Sequence, residues 1–192
     1  GAAGQDLVEI TNPHVPKDLL GSVTQDKLKR IKTAILSKPF TLAGIPLPAN
    51  SELRFKERPG GDVLMEAELA APAAVMGIPC IKGTVVGFFE LTVWDLRAAF
   101  SEARDVQGFP VEAMSTLAFD PAGKLVDFVL ARDFPLRGRT FPKGSRIRLG
   151  GGHVLGDLGG ALERGCEPQE RLRAAGVAHR ADAFAEILQV VE

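Results

Sequence analysis

The chain has no tyrosine, a single tryptophan, two cysteines and three histidines in 192 residues. Each scarcity removes a class of chemistry. Without phenols, and with Trp94 as the sole indole, the aromatic platforms on which sugars and bases stack lack material. Trp94 itself sits in the strand-like run Thr-Val-Trp-Asp-Leu and is expected in the core. Two cysteines make no disulfide framework, although export would allow Cys80 and Cys166 to pair. They are also too few for a structural zinc site without several histidines. Cys80 lies in an apolar run and reads as a buried thiol; Cys166 lies in a Gly-Cys-Glu-Pro turn.

The histidines, His14, His153 and His179, are scattered along the chain. His153 comes nearest to a ligand pair, with Asp157 four residues on, and no metal-binding residue is expected. Charge of one sign is missing too: 23 Lys and Arg stand against 24 Asp and Glu, so no cationic surplus draws the chain to nucleic acid. The local run Lys27, Lys29, Arg30 and Lys32 reads as a solvated face. The longest apolar stretch, residues 69–81, contains Pro72, Gly77 and Pro79 and falls short of the ~20 residues of a membrane-spanning helix. The chain starts at Gly1 without Met. Ala2-Ala3-Gly4 would suit the mature end of an exported protein, and Gly1 would equally suit a cloning remnant.

Catalytic signatures are missing as well. No Gly-x-Ser-x-Gly elbow occurs, and Gly150-Gly151-Gly152 and Gly159-Gly160 lack the Lys-Ser/Thr of a phosphate loop. Asp95, Asp120, Asp127, Asp133 and Asp157 are the carboxylates from which an acid–base pair would be assembled on folding. One sequence assigns no such pair. No catalytic or cofactor-binding residue is therefore named, and no cofactor is expected.

What the chain does have is a repeat, the first thing to look for in a sequence. Residues 36–55, 69–88, 100–119 and 130–149 align without gaps. A large apolar residue (Leu36, Leu69, Phe100, Leu130) is followed eight positions later by Gly44, Gly77, Gly108 or Gly138. Seven further on stands a hydroxyl: Ser51, Thr84, Ser115 or Ser145. Then come Leu53, Val86, Leu117 or Ile147, and two positions later Phe55, Phe88, Phe119 or Leu149. Those last two positions have the side-chain period of a strand and share one face, which is read as the core.

The repeated glycine suits a bend with positive φ. Pro46, Pro79 and Pro110 remove a ladder donor at a corner or edge. The fourth copy has Arg139-Thr140 where two others have Ile-Pro, and is expected to be an irregular terminal unit. The hydroxyls are expected to satisfy backbone groups at turns. Residues 58–62, 120–123 and 150–152 read as hairpin turns, and Phe89-Glu90-Leu91-Thr92 is taken as one from its place in the repeat.

The ends differ. Residues 1–24 read as an extended arm, and residues 24–35 as a short helix giving way to a strand near Lys32. Pro168 suits a first helical position. A second helix over residues 182–191 has Asp182 as cap and Phe184, Ile187, Leu188 and Val191 as its apolar stripe, and would cover an open sheet edge.

The expectation is a mainly β protein. Residues 25–160 form an antiparallel hairpin array, a meander either open or barrel-like, after the N-terminal arm at 1–24. Helices in residues 161–192 pack on it as part of the same domain. The function that fits is a non-enzymatic binding or scaffold protein of the cell envelope, with a protein or lipid partner and no nucleic acid. One alternative is a lipid carrier, because Val85-Val86-Gly87-Phe88-Phe89 is apolar on both alternating faces. The other is a hydrolase whose site is assembled across strands.

Overall fold

The computed structural model describes residues 8–28 and 30–150, and the backbone of 153–157. Ten strands form one antiparallel sheet. They are β1 (Leu20–Gln25), β2 (Ile31–Leu36), β5 (Glu52–Arg58), β6 (Gly61–Glu68), β9 (Val85–Phe89), β10 (Thr92–Arg97), β13 (Thr116–Phe119), β14 (Leu125–Val129), β17 (Arg146–Gly150) and β18 (His153–Asp157), and they pair in that order. Four two-stranded hairpins interrupt the meander: β3 (Phe40–Leu42) with β4 (Ile45–Leu47), β7 (Ala73–Val75) with β8 (Ile78–Cys80), β11 (Arg104–Val106) with β12 (Phe109–Val111), and β15 (Phe134–Leu136) with β16 (Arg139–Phe141). Among the described residues no strand pairing joins β1 to β18, so the ten described strands form an open sheet.

Each copy of the sequence repeat is the same piece of chain. Its glycine is the second residue of a two-residue hairpin turn, with positive φ at both central positions: Ala43-Gly44, Met76-Gly77, Gln107-Gly108 and Arg137-Gly138. That geometry matches the right-handed twist of the flanking strands, and glycine adopts it without a Cβ penalty. Before the hydroxyl the chain turns again through positive φ at Asn50, Gly83, Met114 and Gly144. The N–H of each of these donates to the carbonyl of its copy's first residue: Leu36 at 2.7 Å, Leu69 at 2.8 Å, Phe100 at 3.0 Å and Leu130 at 2.7 Å. The turn is thereby stitched to the strand before it. The fourth copy follows the same path with Arg139-Thr140 in β16, so the expected irregularity there is absent. A three-residue strand needs no Ile-Pro when its two-residue turn already fixes it.

The sheet's inner face is the core. Leu53, Phe55, Val86, Phe88, Leu117, Phe119 and Ile147 are buried on it, as the period-two reading requires, while Leu149 is partly buried. The short hairpins form the layer above. Phe109 of β12 packs on Phe128 of β14 with ring centroids 4.8 Å apart, and Leu42, Leu47, Val75, Cys80, Val106, Val111 and Phe141 close the rest.

The N-terminal expectations need correction. The described residues of 24–35 hold no helix: β1 begins at Leu20, a turn follows, and β2 begins at Ile31. Leu28, Ile31 and Ile35 share a helical spacing by coincidence, because Ile31 and Ile35 lie in a strand paired on both sides. The arm is not merely extended either. Ile10 and Val15 are buried, and they stand where Leu42 and Leu47 stand in the next copy, with Asn12 at the glycine position and Pro16 at that of Pro48. Leu19 N–H donates to Pro16 O as Ser51 N–H does to Pro48 O. The arm is therefore half of a fifth unit, and five units with two long strands each account for the ten-stranded sheet. The helices expected in residues 161–192 lie outside the described residues.

Candidate functional site

Three strands carry the same irregularity. Where β6, β10 and β14 pair back onto β5, β9 and β13, one extra residue intrudes: Met65, Trp94 and Val126. Each bulge bends its strand and turns a second side chain toward the sheet's outer face. The residue after it is acidic every time: Glu66, Asp95, Asp127. The recurrence falls outside the aligned segments, where the hairpin turns differ in length.

These carboxylates lie in one row across the outer face, which no described element covers. Through the strand register the row reads Thr33, Arg54, Glu66, Gly87, Asp95, Ala118, Asp127, Arg148. The next row holds Ile35, Glu52, Glu68, Val85, Arg97 and Thr116, and further across the sheet Val129 and Arg146. Lys56 and Val63 stand one row further toward the hairpin ends.

Arg54 bonds Glu52 at 2.9 Å, Glu66 at 3.1 Å and Glu68 at 3.2 Å, and Arg97 bonds the other oxygen of Glu66. Burial works to lower the Arg54 pKa, but the bonds from Glu52 and Glu66 outweigh it and raise it. Asp127 receives Arg146 at 2.8 and 2.9 Å and Arg148 at 3.1 Å. Between these two clusters β13 offers only Thr116 and Ala118.

Asp95 is the least comfortable member. Its carboxylate and the Trp94 indole lie over Gly87, where a Cβ would stand 1.8 Å from Asp95 Oδ1 and 2.7 Å from Trp94 Nε1. Burial pushes the Asp95 carboxyl up, Glu66 adds to it, and Arg97 and the Gly87 N–H pull it back. Trp94 was expected in the core and is instead 47% exposed, because the bulge swings it out of the inner face.

The other candidate residues do not converge. Asp120 caps its own turn through the N–H groups of Ala122 and Lys124, and Asp133 accepts from Lys143 N–H. His14 is exposed in the arm, His153 and Asp157 are on β18, and His179 and Cys166 lie outside the described residues. Thr84 and Ser115 donate to carbonyls three residues back, the turn role expected of the hydroxyls, whereas Ser51 accepts from Ala70 N–H and Ser145 Oγ is buried with no partner among the described residues. Cys80 is a buried thiol with no disulfide partner among the described residues, and burial raises its pKa. Lys32 of the basic run is not on a solvated face: it lies 3.0 Å from Asp62, the pair being 13% and 2% exposed. Asp62 in turn holds the arm, accepting from Thr11 N–H at 2.8 Å while its carbonyl accepts from Asn12.

A shallow depression of about 530 Å³ opens beside the Glu52–Glu68 corner, with Asn50, Lys82 and Gly83 on its rim. Among the described residues no group of three or more His, Cys, Asp or Glu could hold a metal, and no helix is long and apolar enough to cross a membrane. Phe55, Phe119 and Phe128 are fully buried on the inner face. No family model matches the chain, nor does any curated protein or solved structure. Its chemistry has to be read from its own surface.

Proposed function

We propose that the protein is a non-enzymatic binding module that docks a partner on the outer face of its sheet. The observation that carries this is the ribbon itself. Across some eight strands, about 34 Å at ordinary strand spacing, it presents two rows of charge with an exposed tryptophan beside them. Its carboxylates are tied to arginines, which favours them as fixed recognition charges over an acid and base with separated pKa values. Repeated flat surfaces of this kind suit extended partners.

A photo-crosslinking side chain placed at Thr116, on the ribbon, should give a discrete adduct in the protein's source material. The same group at Thr41, on the hairpin layer, should not. Ester, phosphate, glycoside and peptide substrates should turn over at the buffer rate. Turnover that Asp95→Asn abolishes would end this reading in favour of a hydrolase.

A further inference from the structure

The copies share one backbone path, so a side chain lost from one copy opens a gap that the others fill. The third residue of each copy marks such a place. It is Lys38, Glu102 or Arg132 in three copies, all exposed, and Ala71 in the other. The depression of about 530 Å³ opens at Ala71, and Ile35, Ala49 and Ala70 give it a short aliphatic wall. Its backbone is tied down: Gly83 N–H donates to Leu69 O at 2.8 Å and Ala70 N–H to Ser51 Oγ at 3.2 Å. The hollow is therefore part of the fold.

Charge divides across the opening. On one side Glu52 and Glu68 stand directly opposite each other in the register of β5 and β6, an unfavourable pairing of like charge. Arg54 bonds Glu52 Oε1 and Glu68 Oε2, and the same guanidinium also bonds Glu66. Glu52 Oε2 and Glu68 Oε1 accept no hydrogen bond among the described residues. On the other side stands Lys82, exposed and outside any ion pair of the described residues. At the matching corner two copies on, Thr116 and Val129 replace the two acids and Arg132 replaces Ala71. Only the Ala71 corner joins a gap, two acids and a lysine.

We propose that this depression binds a small zwitterion of dipeptide size, with its ammonium at Glu52 and Glu68 and its carboxylate at Lys82. The volume of about 530 Å³ falls within the range of small-molecule sites. Glu68 and Lys82 do not pair across the gap, so the ligand's charges have to stand apart. A dipeptide separates them by one more peptide unit than an amino acid does, about 3.8 Å between α-carbons. An aliphatic side chain suits the alanine wall, and both ends make charge-assisted bonds. This site is independent of what docks on the ribbon.

Amide chemical shifts of the isotope-labelled full chain, titrated with the dipeptide Ala-Leu, test it. Residues 49–52, 68–71 and 82–83 should shift together and saturate, with a Kd on the order of millimolar for so small a ligand in an open site. N-acetyl-Ala-Leu lacks the ammonium and Ala-Leu amide lacks the carboxylate; each should bind about tenfold more weakly or worse. Ala71→Arg installs the residue that another copy carries at this place. That variant should fold, as unchanged remote amide shifts will show, and should not bind. Lys82→Ala should bind Ala-Leu and its amide alike. Shifts that never saturate, or that fall elsewhere, overturn the site. So does undiminished binding by Ala71→Arg or by the capped peptides, or a Lys82→Ala variant that still prefers the free carboxylate.

Discussion

At Gly87 the sheet has no room even for a methyl group. A Cβ there meets Asp95 Oδ1 and the Trp94 indole, both held over the strand by the bulge. Gly87→Ala should lower stability by about 1–3 kcal/mol, the usual cost of forcing an extra carbon into a packed place, measured by urea denaturation. Asp95 acts in the opposite direction. Its pKa is higher folded than unfolded because burial disfavours the charge, so the native state holds the proton more tightly. Stability therefore falls as pH rises from the ordinary aspartate pKa through the raised one, and is best below that window. Asp95→Asn should raise the melting temperature at neutral pH and flatten that part of the pH profile; an unchanged slope would mean the carboxylate is not desolvated. Nothing in Thr-Val-Trp-Asp-Leu distinguishes these residues from an ordinary strand, since a bulge depends on the partner strand's register.

The elements repeat with little variation because each copy carries its own turn residues. Positive φ at the repeated glycine is written into the chain locally and is legible without coordinates, whereas the turn before the hydroxyl, filled by Asn50, Gly83, Met114 and Gly144, is not. The arm is different. Ile10 and Val15 mark it as half a unit, but it has no glycine to announce the fact. It is held by the Lys32–Asp62 pair and the backbone of Thr11. Asp62→Ala leaves a lysine buried without its partner and should cost about 3 kcal/mol. Hydrogen exchange should rise first in residues 8–16, ahead of the central strands. Equal acceleration throughout would mean that the arm is no separate unit of stability.

For the whole molecule, a nearest-neighbour array predicts that a unit can be removed. Deleting residues 36–68 joins Ile35 to Leu69, which occupies the place of Leu36 and makes the same bond, its N–H to the carbonyl of the hydroxyl residue. The shortened chain should fold with two fewer long strands and unfold cooperatively. Its denaturant slope should be smaller by roughly a fifth, in line with the surface lost. A molten product would show that the units depend on contacts beyond their neighbours.

Composition and spacing were enough to determine the repeat, its glycine turns and the inner face, because φ preferences and side-chain alternation act over a few residues. Only tertiary pairing decided the outer face. Which acid stands beside which arginine and where Trp94 emerges follow from strand register, and register is a property of two strands together.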